Sequence, residues 1–161
     1  ERLWEESLPF PLLTLGRNAP HIIEQFRHTP GAVLLATGAA WEGFDFPGDC
    51  VSLLVIPRLP FAYPDALKEK EREEYASLRQ FIQNVAVPEM QIKLRQGFGR
   101  AIRTESDTCV IAILDERAGR GRRYNKAMLD ALPEMRTTSS LRAVTKFLRE
   151  LKPESYFEVC A

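Results

Sequence analysis

The sequence predicts an α/β domain with helices on both faces of a mainly parallel sheet, on three observations. Four apolar runs, 11–15 (PLLTL), 32–37 (AVLLAT), 51–57 (VSLLVIP) and 108–114 (TCVIAIL), are nearly continuous in hydrophobicity rather than alternating, as strands buried on both faces are. Stretches of helical character lie between them, and parallel strands need such crossovers. The 161 residues are 45% hydrophobic and 27% charged, which supplies a core for one domain and little room for a second. A single domain spanning 1–161 is the expectation.

In chain order, the strand at 11–15 leads to a helix at 20–27 and the strand at 32–37 to a glycine-rich loop. The strand at 51–57 precedes Leu59-Pro60-Phe61-Ala62-Tyr63-Pro64, read as a stiff loop because proline and aromatic rings restrict it. A helix over 65–83 places Leu67, Tyr75, Leu78 and Ile82 on one stripe and leaves most of the charged run 68–74 (KEKEREE) outside it, as a solvated face rather than a binding tail. Helices over 88–103, 122–132 and 139–151 complete the pattern around the strand at 108–114. Ligands of open parallel sheets bind beyond the carboxyl ends of the strands, so the segments after Thr37, Pro57 and Leu114 are where chemistry is expected.

Composition narrows the function classes. No apolar run approaches the roughly 20 residues of a membrane helix, and Glu1-Arg2-Leu3-Trp4-Glu5-Glu6 does not form a signal peptide. The expectation is a cytoplasmic protein with no membrane partner. Cys50, Cys109 and Cys160 are odd in number and far apart, and His21 and His28 have no third ligand near them, so neither a disulfide framework nor a metal site is expected. A chain beginning at Glu1 reads as a piece of a longer product. The formal net charge is zero, but residues 1–90 carry 8 Lys/Arg against 13 Asp/Glu, whereas residues 91–126 carry 9 against 4. An anion site is therefore sought in the second stretch.

Two segments carry chemistry. In the helix over 88–103, Gln96, Arg100 and Arg103 fall within roughly 60° of one another at 100° per residue, with Leu94, Phe98 and Ala101 opposite. Two guanidiniums and an amide suit phosphate oxygens and the charge that develops on a transferring phosphoryl group. A surface helix whose arginines pair with neighbouring carboxylates is the alternative. Gly97 and Gly99 flank this face at a cost to the helix, which close approach by another surface or a ligand would explain. The second segment is the loop 37–49 (TGAAWEGFDFPGD), whose glycines and aspartates follow a buried strand. It can offer backbone amides to an anion, or it can serve turns and local caps.

Taken in order, TGAAWEGFDFPGD, the strand ending at Pro57 followed by Leu59-Pro60-Phe61, a long charged helix, LRQGFGRAIRTESD (94–107) and Leu114-Asp115-Glu116-Arg117 followed by Arg122-Arg123-Tyr124 resemble the second motor domain of DinG-type and XPD-like superfamily 2 DNA helicases. The resemblance is close over 32–132 and looser elsewhere, with WEGFDFPG as motif V and QGFGRAIR as motif VI. It implies a RecA-like three-layer domain whose Arg100 and Arg103, with Gln96, face the γ-phosphate of ATP held on a first motor domain. It implies that Glu42, Gly43 and Asp45 couple nucleotide state to the strand track, and that Thr37 and Gly38 lie near single-stranded DNA. No GxxxxGK[ST] phosphate loop and no DEAH-type box occur in the chain, so the first motor domain, with its ATP and Mg²⁺ site, is expected to be missing from it. An iron–sulfur cluster, where relatives carry one, belongs to that missing half. The implied parent is an ATP-dependent DNA helicase, nucleoid-associated if bacterial, of which this piece alone is inactive. The other reading is a RecA-like module that binds nucleic acid or protein without an ATP cycle.

Overall fold

The computed structural model describes residues 8–16, 19–37, 46 and 50–158. These belong to two compact units, one formed by Glu1–Cys50 with Thr137–Ala161 and the other by Val51–Arg136. In the first, β1 (Leu12–Thr14) leads through α1 (Ala19–His28) to β2 (Val33–Leu35), and the strands pair in parallel with Leu12 opposite Val33 and Thr14 opposite Leu35. The amide of Val33 donates to the carbonyl of Pro11 (2.9 Å) and that of Leu15 to Leu35 (2.8 Å), so the ladder runs past both strand ends. Helix α1 buries Ile23 and turns Glu24 outward, where its carboxylate meets Arg27 (3.1 Å) and His28 (2.8 Å). The His28 hydrogen bond, ahead of the other influences, holds Glu24 below the usual carboxylate range. The Thr29 hydroxyl donates to the carbonyl of Gln25 (2.6 Å), and Gly31 takes a φ of 68°, which ends the helix and returns the chain to β2.

In the second unit β3 (Leu53–Ile56) and β4 (Val110–Ile113) pair in parallel with Leu53 opposite Val110 and Ile56 opposite Ile113. All four strands read from the sequence are present, each trimmed at its ends, and the described residues form two separate two-stranded parallel sheets. Burial departs from expectation along β3: Ile56 is buried, but Leu53 and Val55 are 51% and 45% exposed. An apolar run does not by itself distinguish a strand covered on both faces from one covered on one.

The expected helix over 65–83 is broken. Helix α2 (Ala66–Glu73) opens with the Asp65 carboxylate accepting from the amide of Lys68, and a second start follows at Ser77, whose hydroxyl accepts from the amide of Gln80 to open α3 (Leu78–Phe81). Each cap residue is itself committed to extended backbone, which is why the stripe fails: Leu67 and Leu78 are exposed, and no residue of α2 is buried. Instead α2 is tied across by Lys68, whose ammonium donates to Glu71 (2.8 Å) and to Glu89; these bonds, Glu71 first, raise its pKa. From α3 the chain winds through one wide turn, Ile82–Ala86, in which the amide of Val87 donates back to the carbonyl of Ile82. Pro88 has no N–H to complete an ordinary turn, and a π-type turn relieves that loss.

Helix α4 (Val87–Ala101) carries the core of this unit. Met90, Leu94, Gly97 and Ala101 form its buried stripe, with Met90 and Leu94 wholly inaccessible. Beyond β4 lie a 3₁₀ turn, Glu116–Ala118, and α5 (Asn125–Asp130). Gln91 Nε2 donates to the carbonyl of Ala127 (2.8 Å) and Arg95 Nε to that of Ala131 (3.3 Å), locking α5 and its end onto α4. The chain then returns to the first unit through α6 (Leu141–Leu151), opened by the Ser140 hydroxyl, and α7 (Ser155–Glu158). Among the described residues no helix is long and apolar enough to cross a membrane.

Candidate functional site

The carboxyl end of the β3–β4 pair gathers three segments distant in sequence. The amide of Leu114 donates to the carbonyl of Ile56 (3.0 Å), so the strands stay paired to their ends, and Asp115 follows with its carboxylate buried. That carboxylate accepts from the amide of Leu59 (3.0 Å) and from the amide of Arg117 (3.0 Å). It also receives the Arg117 guanidinium as a fork, Nε to Oδ1 at 2.9 Å and Nη2 to Oδ2 at 2.6 Å. The guanidinium foremost, opposed by burial and helped by the two amides, holds Asp115 well below the usual carboxylate range. Arg117 lies 5.4 Å from the ring centre of Phe61 and 5.8 Å from that of Tyr124, and the two rings are 4.8 Å apart. The Leu59, Asp115 and Tyr124 segments, matched in the sequence only by their order, thus form one braced cluster.

Helix α4 presents Gln96 and Arg100 four residues apart, Gln96 exposed and Arg100 half-buried. Arg103 does not continue that face, although periodicity predicts that it should. The last helical bond runs from the amide of Ile102 to the carbonyl of Phe98 (3.0 Å), and Ile102 is already extended (φ −128°, ψ 113°). The cause is Asp107: its Oδ2 accepts from the amides of Arg103 (2.8 Å) and Thr104 (2.9 Å), and its Oδ1 accepts from the Thr104 hydroxyl (2.8 Å). One carboxylate therefore captures the backbone that would otherwise extend the helix. Gly97 is buried in the packing stripe rather than bordering the polar face, because the helical wheel puts it on the same side as Met90, Leu94 and Ala101. Gly99 is exposed, and a Cβ there would meet nothing within 4 Å, so no described residue makes the close approach inferred for it.

Thr37 is exposed just beyond the carboxyl end of β2. Gly38, Glu42, Gly43 and Asp45 lie outside the described residues. Among the described residues no group of three or more His, Cys, Asp or Glu side chains is arranged to hold a metal ion. In the sequence Asp107 and Asp115 stand out only as positional matches; a carboxylate a few residues beyond a helix end is the signal that could have assigned Asp107 its capping role. Replacing Asp107 with Ala should raise hydrogen exchange at the amides of Arg103 and Thr104 by about 10- to 100-fold, the worth of roughly 1–3 kcal/mol for donors to a charged acceptor. Asp107→Asn keeps a carbonyl oxygen facing both amides and should change exchange far less.

A family model described as the helicase C-terminal domain matches residues 3–135. The chain belongs to that helicase family. It is 38% identical over 130 residues to the ATP-dependent DNA helicase YoaA of Haemophilus influenzae, covering 80% of this chain and 20% of the relative. It is 35% identical over 145 residues to YoaA of Escherichia coli, covering 88% and 23%, and 38% identical over 123 residues to the 3′-5′ exonuclease DinG of Bacillus subtilis, covering 73% and 13%. The chain thus spans a fifth or so of the first of these helicase relatives. The braced cluster and the α4 terminus both fall inside the part matched by the helicase C-terminal model.

Proposed function

We propose that the chain is the second motor lobe of an ATP-dependent DNA helicase, a RecA-like three-layer domain over 1–161 that works against a first motor domain elsewhere in the same protein. The observation that carries this reading is the end of α4, where Arg100 sits on the last turn and Arg103 on a backbone fixed by Asp107. Guanidiniums on a fixed backbone suit a phosphoryl group whose charge rises in the transition state, since they need little rearrangement to meet it. Arg100 and Arg103, with Gln96, would face the γ-phosphoryl of ATP held with Mg²⁺ by the first domain; any iron–sulfur cluster would also belong to that part of the protein. Glu42, Gly43 and Asp45 would couple that contact to the strand, and Thr37 with Gly38 would touch the backbone of single-stranded DNA. ATP would then draw the lobes together through these arginines, and loss of phosphate would release them, so that alternating closure moves the strand.

The test is steady-state ATP hydrolysis with and without single-stranded DNA, on the full-length protein and on this chain alone. DNA-stimulated turnover by the full-length protein and negligible turnover by the isolated chain are expected. Robust hydrolysis by the isolated chain would contradict the division of labour. DNA binding by the full-length protein without turnover would point instead to a non-hydrolytic interaction module.

A further inference from the structure

We propose that the loop Gly119-Arg120-Gly121-Arg122-Arg123, beyond the Asp115–Arg117 brace, is a binding loop for the phosphodiester backbone of a single-stranded nucleic acid; this rests on the helicase reading above. Its backbone is fixed from both sides. Before it, Ala118 is buried and its carbonyl accepts from Asn125 Nδ2 (2.8 Å); after it, Tyr124 is buried and its amide donates to the carbonyl of Arg117 (3.0 Å). Within it the amide of Arg122 donates to the carbonyl of Gly119 (2.9 Å), Gly121 holds a φ of 74°, and a Cβ at Gly119 would lie 3.2 Å from the carbonyl oxygen of Glu116. The path is one that glycine permits and other residues resist.

This fixed path presents three arginines in four positions, all exposed. Arg123 lies over the ring of Tyr124 at 5.2 Å, while the side chains of Arg120 and Arg122 have no carboxylate partner among the described residues. Like charges held together on a rigid loop repel one another, and an anionic ligand removes that repulsion. The arrangement favours phosphodiesters over a compact anion, because successive guanidiniums along a stretch of backbone match successive charges along a strand. Since the Tyr124 ring is buried against Phe61 and Arg117, it is not a platform for a base, and binding here should be indifferent to sequence.

The experiment measures binding of fluorescein-labelled oligothymidylate by the full-length protein over a series of salt concentrations. It compares the unsubstituted protein with R120A/R122A, with R120K/R122K, and with R136A/R142A as a charge-matched control at exposed positions elsewhere. For R120A/R122A, affinity should fall about tenfold and the slope of log K against log salt should become shallower by about 1.4, roughly 0.7 for each phosphate of a single strand that is no longer neutralised. The lysine pair should restore most of the slope, and the control should leave it in place. An unchanged slope in R120A/R122A, or an equal change in the control, overturns the proposal. So does a raised KM for ATP with the DNA slope intact, which would place the loop at the nucleotide. If the unsubstituted protein binds no oligothymidylate, the helicase reading itself falls and this loop's assignment falls with it.

Discussion

In the full-length protein, Arg100→Ala and Arg103→Ala should each lower kcat for DNA-stimulated ATP hydrolysis by on the order of 10³ or more while leaving affinity for single-stranded DNA largely unchanged. Arg100 projects from the last turn of α4, where backbone carbonyls lack helical partners and a cation is favoured. Arg103 starts from an extended segment whose amide is held by Asp107 at 2.8 Å, so its direction is set by a loop rather than by helical periodicity. On the proposed function, two guanidiniums supported in different ways would approach one phosphoryl group from different directions, and loss of either would leave developing charge unmatched. Lysine should rescue neither well, because a point charge does not reproduce a planar fork of donors. The measurement is kcat and KM for ATP at saturating DNA, together with the DNA dissociation constant. Normal turnover with abolished DNA binding would transfer both arginines from the nucleotide to the strand.

Much of this site is legible in the sequence, and the limits of that legibility have identifiable causes. The four strands emerge because short apolar runs bounded by turn residues have few alternatives, and their parallel pairing follows from the helices between them. The helical face with Gln96 and Arg100 emerges because periodicity persists until something interrupts it. Periodicity misplaces Arg103 on that face because the interruption is a side chain four residues further on, and a helical wheel carries no information about a carboxylate that folds back. Gly97 is half legible: a glycine in a helix signals a close approach by another surface, which its burial in the packing stripe with Leu94 and Ala101 fits, but spacing alone set it at the border of the polar face. The break at Ser77 is marked by an N-cap residue that a continuous charged pattern obscures. The convergence of Leu59, Phe61, Asp115, Arg117 and Tyr124 depends on β3 and β4 lying side by side, a non-local pairing that no spacing along the chain reveals.

That convergence makes Asp115 a position where a single polar substitution should damage the fold of the second unit severely. Asp115→Ala removes the acceptor for the buried amide of Leu59, the acceptor for the amide of Arg117 and the counter-charge for a guanidinium seated against two rings. Arg117 is about half exposed, so water recovers part of its loss; the buried donor recovers little. A local cost of about 2–4 kcal/mol is expected, at or below the range for breaking a buried pair. Read by hydrogen exchange in peptides covering 51–61 and 110–124, that cost corresponds to protection lowered by about 30- to 1,000-fold. Asp115→Asn keeps one carbonyl oxygen for Leu59 but loses the charge, so it should fall between alanine and the native residue. The pH dependence has a definite sign: because the folded carboxyl titrates well below the ordinary aspartate value, its contribution is fully present above about pH 4 and is lost as pH falls through the folded value. Protection of these segments, corrected for intrinsic exchange, should therefore hold from neutrality down to about pH 4 and decline only in stronger acid. A decline already evident near pH 6 would mean that some group other than this aspartate governs the end of the β3–β4 pair.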